Sequence, residues 1–192
     1  MAGPMRKNLI LTLLFLFFAA CGKSAPEPVV QVPPKPTQDS GQIKLISNAF
    51  KDGEGIPSQY TCDGVNISPP LEWNALPKTA KTVAIIAEDP DAPSGTFVHW
   101  VLYNLPADNI GVVENVPLTD TLKVGGFQGK NDFEKIGYGG PCPPSGTHRY
   151  LFKIYAVDSE LPLKAAATKA DLLKAMEGHV VAEGQLMGKY KR

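Results

Sequence analysis

The sequence predicts a mainly β protein, a β-sandwich with a few peripheral helices. Three observations lead there. Apolar runs of strand length, rich in β-branched and aromatic residues, occupy the middle of the chain. The segments between them are crowded with Gly, Pro, Asn and Asp, which build turns rather than helices. Helix signals are confined to the carboxyl end, so strands have to supply the layers of the core.

The elements follow in order. Ile43–Ser47 is a short candidate strand. Residues 52–70 form a long ordered loop, marked by Asp52-Gly53, Pro57, Asp63-Gly64 and Pro69-Pro70. Leu71-Glu-Trp73 is a short strand. Thr82–Ala87 is an unbroken apolar run and reads as a strand buried on both faces. Phe97–Tyr103 and Tyr150–Val157 are two further strands. Thr168-Lys-Ala-Asp171 resembles a helix capping box with Asp in place of Glu. Leu172, Leu173 and Met176 follow as an apolar helical stripe. Gly178 can end that helix, and Val180–Met187 is expected to form another. Trp73 and Trp100 are expected in the core.

The amino end differs in kind. Arg6 and Lys7 precede an apolar run from Leu9 to Ala20 and then Cys21, the pattern of a secretory signal over residues 1–20. The run is short for a transmembrane helix, which needs roughly 20 residues. Ala19-Ala20-Cys21-Gly22 resembles the lipobox of bacterial lipoproteins, with Phe18 in place of the usual Leu. That resemblance implies acylation of Cys21, palmitate included, and a lipid anchor at the outer membrane facing the periplasm of a bacterial cell envelope. The competing reading is cleavage after Ala20 to a free periplasmic protein. Residues 21–41 carry five prolines and few large apolar residues, a tether extending about 3 Å per residue. Residues 42–192 are the size of one domain.

The chain has 19 basic and 19 acidic residues, and removal of the signal takes away Arg6 and Lys7 but no acid. The mildly negative remainder argues against nucleic acid as a partner. With Cys21 acylated, Cys62 and Cys142 remain. An exported compartment is oxidising, so the pair is expected as a disulfide worth about 3–4 kcal/mol in the chain-entropy model. The other reading is two buried free thiols. No second Cys or His lies at ligand spacing from either, so neither a metal nor another cofactor is expected.

Three segments could carry chemistry. Asp89-Pro-Asp-Ala-Pro93 holds two carboxylates in a rigid turn after the most apolar strand. His99-Trp100 opens the next strand. Gly139-Gly-Pro-Cys-Pro-Pro-Ser-Gly-Thr-His-Arg-Tyr150 is an irregular loop running into a third. Each reads by itself as a structural turn; together they read as one site at converging strand ends. Alternation places His148 and Tyr150 on one side of the backbone and Arg149 on the other, where it can pair with Asp91, most simply as a core salt bridge. Imidazole and phenol can donate hydrogen bonds to an anion. Asp89 can orient a histidine or meet a ligand ammonium group. Residues 137–140 can offer backbone N–H groups to the same anion.

These three motifs, with Tyr60-Thr-Cys-Asp-Gly64 and Ser68-Pro-Pro-Leu-Glu-Trp73, resemble the phosphatidylethanolamine-binding protein family, in its bacterial Raf kinase inhibitor-like branch. The resemblance spans about residues 42–190. It implies a β-sandwich with a central antiparallel sheet, a smaller second sheet and a few helices. It also implies a small pocket for phosphate, acetate or a phospholipid headgroup. Matched motif to motif, the pocket residues are Asp89, Ala92, Pro93, His99, Gly140, Pro141, His148 and Tyr150. Tyr190 is not matched to the pocket tyrosine that animal members carry near the carboxyl end. The function implied is non-enzymatic binding of a small anionic ligand at the cell envelope. The alternative is an inhibitor or regulator of an envelope protein such as a protease. Neither a Gly-x-Ser-x-Gly elbow nor a His-Glu-x-x-His pair is present to suggest a hydrolase.

Overall fold

The computed structural model describes residues 41–192. The expected signal peptide, Cys21 and the tether up to residue 40 lie outside the described residues. Gly41, assigned to the tether from sequence, belongs instead to the first strand.

Among the described residues nine strands and one α-helix follow one another: β1 (Gly41–Gln42), β2 (Leu45–Ile46), β3 (Leu71–Trp73), β4 (Thr82–Asp89), β5 (Phe97–Pro106), β6 (Gly111–Val112), β7 (Phe127–Gln128), β8 (Thr147–Val157), α1 (Lys169–Met176) and β9 (Val180–Lys191). A 3-10 turn at Ser58–Tyr60 interrupts the long loop before β3. The larger sheet has the order β1-β9-β8-β4-β5-β7, and β2-β3-β6 form a smaller one. The large sheet is antiparallel except where β1 joins β9 in parallel, so it is mixed rather than purely antiparallel.

The long strands form where the apolar runs lie, and every residue of β4 is buried. That follows from its central place, with β5 on one side, β8 on the other, and packing on both faces. On the inner face Val83, Ile85 and Ala87 join Trp100, Phe152, Leu71 and Trp73 in the main core between the sheets. On the outer face Ala84 and Ile86 pack with Val101, Tyr103, Leu172 and Met176 beneath α1. Each large side chain so buried contributes on the order of 1.5–3 kcal/mol.

The helix has the expected capping box: Asp171 N donates to Thr168 Oγ1, and Thr168 N donates to Asp171 Oδ2. Leu172 and Met176 face the core, but Leu173, expected in the same stripe, is exposed. Gly178 sits at φ 80° just past the helix, a conformation glycine enters without strain.

The expected second helix over 180–187 is not formed. Val180–Lys191 is a twelve-residue strand paired along nearly its whole length with β8. Gly184 and Gly188 explain the difference. A Cβ on Gly184 would strike the Ile43 carbonyl, and one on Gly188 would strike Ile56 and Phe50. These glycines admit close neighbours to the sheet face, whereas inside a helix each would be unfavourable.

Candidate functional site

Asp89 ends β4, His99 lies near the start of β5, and His148 and Tyr150 open β8. Because β4 lies between β5 and β8, their ends meet at one edge of the core. A β-bulge aims His99. Ala87 is opposite Trp100 and Glu88 opposite Val98, so His99 is the extra residue on β5. Such a bulge turns a side chain out of simple alternation. The His99 ring packs edge-on against Tyr150, with centroids 5.2 Å apart.

Asp89 and His148 form a buried pair, His148 Nδ1 lying 2.8 Å from Asp89 Oδ2. The carboxylate accepts, so Nδ1 carries the proton and Nε2 is the free ring nitrogen. Asp89 Oδ1 accepts from Asp91 N at 2.8 Å, which occupies its other oxygen. His99 Nδ1 donates to the Gly139 carbonyl at 2.6 Å, while Gly139 N donates to the His99 carbonyl at 2.9 Å. Here too Nε2 is left free. Burial holds the His99 imidazole below its ordinary value, against the opposing pull of the Gly139 carbonyl and the Asp89 carboxylate. Tyr150 is buried and its hydroxyl has no hydrogen-bond partner among the described residues. Burial, then the nearby Asp89 charge, pushes its phenol far above the ordinary value, so it remains a donor.

Asp89, His99 and His148 border a cavity of about 190 Å³, lined also by Ala92, Pro93, Cys142, Pro143, Pro144, Phe97 and Phe133. Two of the larger concavities among the described residues lie elsewhere. One, of about 480 Å³, includes Lys153, Tyr155 and Glu183. The other, of about 360 Å³, is a largely apolar groove between Gly111 and Val124. Neither contains a histidine or a paired buried acid, so the smaller cavity is where chemistry converges.

Not every expected site residue reaches the cavity. Gly140 and Pro141 stand behind its wall. A Cβ on Gly140 would collide with the Tyr60 carbonyl and the Asn66 side chain, and the Pro141 carbonyl accepts from Cys62 N at 3.0 Å. Tyr150 stands beside His99 rather than in the lining. Of the backbone N–H groups expected to serve an anion, those of the three glycines are engaged: Gly137 N donates to Gly129 O, Gly139 N to His99 O and Gly140 N to Asn66 Oδ1. The loop therefore builds the wall without supplying these donors. Arg149 does pair with Asp91, through Nε, NH2 and its backbone N. The pair is at the surface rather than in the core, with 54% of the Arg149 side chain exposed. The Arg149 hydrogen bonds hold the Asp91 carboxyl well below the usual carboxylate range. Tyr190 lies outside the cavity lining and donates to Asp63 Oδ2.

Two lining aromatics had not been expected. Phe97 and Phe133 stack edge-on with each other and with His99 at 4.7–5.4 Å. Phe133 is presented by a turn in which Asn131 Oδ1 accepts from Phe133 N and Lys135 N, and Asp132 Oδ2 accepts from Val98 N. The turn-forming Asn131-Asp132 ahead of a lone aromatic was the available sequence signal. The expected Cys62–Cys142 disulfide is present, with Cα atoms 5.4 Å apart. It ties the 58–66 loop to the cavity wall. Among the described residues no three His, Cys, Asp or Glu side chains converge as a metal site.

A model of the phosphatidylethanolamine-binding protein family matches residues 46–191. A UPF0098 protein of Methanothermobacter thermautotrophicus is 53% identical over 150 residues, which span 78% of this chain and 99% of the relative. A UPF0098 protein of Aquifex aeolicus is 44% identical over 153 residues, 78% of this chain and 89% of that one. Among solved structures, a phosphatidylethanolamine-binding protein homolog from Chlamydia trachomatis matches with a TM-score of 0.73 at 40% identity, covering 80% of this chain and 99% of its own. YbcL of E. coli, described as a member of the mammalian family of that name, has a TM-score of 0.73 at 30% identity, covering 79% and 99%.

Proposed function

Because the chain belongs to the phosphatidylethanolamine-binding protein family, we propose that it binds a small anionic ligand, a phosphorylated headgroup or a carboxylate, in the cavity between Asp89, His99 and His148. Membership supports ligand binding in general and ligands of phospholipid type. The finer reading rests on one observation. Both cavity histidines have Nδ1 tied back to the protein, which leaves two Nε2 atoms as free polar atoms beside the cavity. Protonation of either ring turns its Nε2 into a donor for an anion, and Asp89 balances the charge on His148. The volume, about 190 Å³, suits a headgroup and falls below the roughly 300 Å³ at which sites for drug-sized ligands begin.

Binding proceeds without turnover. The lining holds no Ser, Lys or free thiol to act as nucleophile, since Cys142 is in a disulfide. The Cys21 lipid anchor would hold this binding domain at the bacterial cell envelope, facing the periplasm. Calorimetric titration with phosphate, phosphoethanolamine and acetate tests the binding reading. Saturable binding that is lost in His148→Ala and in Asp89→Ala is expected. Absence of binding to all three would sink it.

A further inference from the structure

We propose that the Cys62–Cys142 disulfide is a thiol–disulfide exchange site for a dithiol reductant, placed so that its opening loosens the cavity rim and weakens ligand binding. The effect on binding rests on the function proposed above; the exchange chemistry does not.

Four observations converge. Cys142 lines the cavity between Pro141 and the two wall residues Pro143 and Pro144. Cys142 is an exposed residue and Cys62 a half-buried one, unlike the cystine of a core. Arg192 NH1 lies 3.5 Å from Cys142 Sγ. The same guanidinium is held by Asp63, the neighbour of Cys62, through NH2 to Oδ1 at 3.1 Å. A cation beside a sulfur stabilises the thiolate, and a stabilised thiolate is the better leaving group.

The chemistry balances. A thiolate of the incoming dithiol attacks Cys62 Sγ, forming a mixed disulfide and expelling Cys142 as a thiolate beside Arg192. The second thiolate of the reductant attacks its own sulfur in the mixed disulfide and releases Cys62. Two electrons and, after protonation, two hydrogens pass from the dithiol to the cystine, and the reductant leaves as its disulfide.

The domain would retain its fold after exchange. Cys62 N to Pro141 O, Gly140 N to Asn66 Oδ1 and Tyr138 Oη to the Tyr60 carbonyl still join the two loops. What is freed is the short segment Cys142–Ser145, beyond the last of these bonds. Reordering one freed backbone residue on ligand binding corresponds to about a tenfold loss of affinity.

The test uses dithiothreitol as the dithiol and inorganic phosphate as the probe, on the folded protein. Alkylation and mass measurement follow opening, amide exchange follows the rim, and calorimetry follows binding. Opening without unfolding is expected, with faster exchange confined to the amides of Cys142 and Ser145, since Pro143 and Pro144 carry none, and about tenfold weaker phosphate binding. Arg192→Gln should slow opening about fivefold under native conditions and leave it unchanged in denaturant, where the guanidinium no longer sits on the sulfur. Opening only on global unfolding, or an Arg192→Gln rate equal to wild type, would overturn the exchange site. Equal phosphate affinity in both redox states would overturn the gate and leave the binding site standing. No binding of phosphate, phosphoethanolamine or acetate by the oxidised protein would remove the proposed function, and opening and amide exchange would then decide the exchange site alone.

Discussion

Ligand binding at this cavity should be coupled to proton uptake by His99. The ring is buried, its Nδ1 proton is committed to the Gly139 carbonyl, and burial depresses its affinity for a second proton. To donate to an anion through Nε2 it has to take that proton up. Two unit charges about 4 Å apart interact by roughly 4 kcal/mol at an effective dielectric of 20, equivalent to about three pKa units. The bound anion therefore raises the proton affinity of His99 from its depressed value in the free protein. Between the free and the anion-bound value affinity should fall about tenfold for each unit rise in pH, with one proton absorbed per anion bound. Sulfate is a suitable probe because it does not titrate there. Calorimetry across about pH 6.5–8, repeated in buffers of different ionisation enthalpy, measures both slope and proton count. His99→Asn should flatten the slope. A sulfate affinity independent of pH, or an unchanged slope in His99→Asn, would refute the coupling. The same burial has a consequence for the free protein. Because the folded value lies below the unfolded one, the stability gained by keeping His99 neutral is present above about pH 6.5 and is lost as pH falls through the folded value.

Gly140→Ala should destabilise the fold by about 2–4 kcal/mol in urea titration, because the added Cβ meets the Tyr60 backbone rather than a movable side chain. Glu88 is buried between Lys153 and Lys169. Burial raises its carboxyl, but the two lysines outweigh that and hold it below the ordinary value. Glu88→Gln should cost about 1–3 kcal/mol at neutral pH. The deficit should be present above the unfolded carboxylate value and vanish as pH falls through the folded one, which parallel denaturation series of the two proteins would check.

The strands that build the scaffold were readable because β4 and β5 are long and packed on both faces, so their apolar runs carry no competing period, and because β8 is a long β-branched and aromatic run whose burial alternates residue by residue. In β9, Val180, Val181, Ala182, Leu186 and Met187 suit a helix as well as a strand, and the decisive glycines make contacts with residues more than a hundred positions away. The site segments were readable as chemistry, but not their wiring. The His99 bulge depends on register with β4, and the occupied N–H groups of the 137–140 loop depend on His99 and Asn66, distant in sequence. Phe133 carried no spacing signal, because a turn rather than a strand presents it. The disulfide was expected from the export signal and from the two cysteines left once Cys21 is set aside for acylation, whereas its place on the cavity rim required the fold.

The most direct test of the anion site is a phosphate titration followed on the imidazole resonances. The chain has three histidines, and the third, His179, pairs with Asp158 at the surface, outside the cavity lining. The account predicts saturable shifts of His99 and His148 with a common dissociation constant and no such shift for His179. Three resonances that drift together, or none that moves, would contradict it.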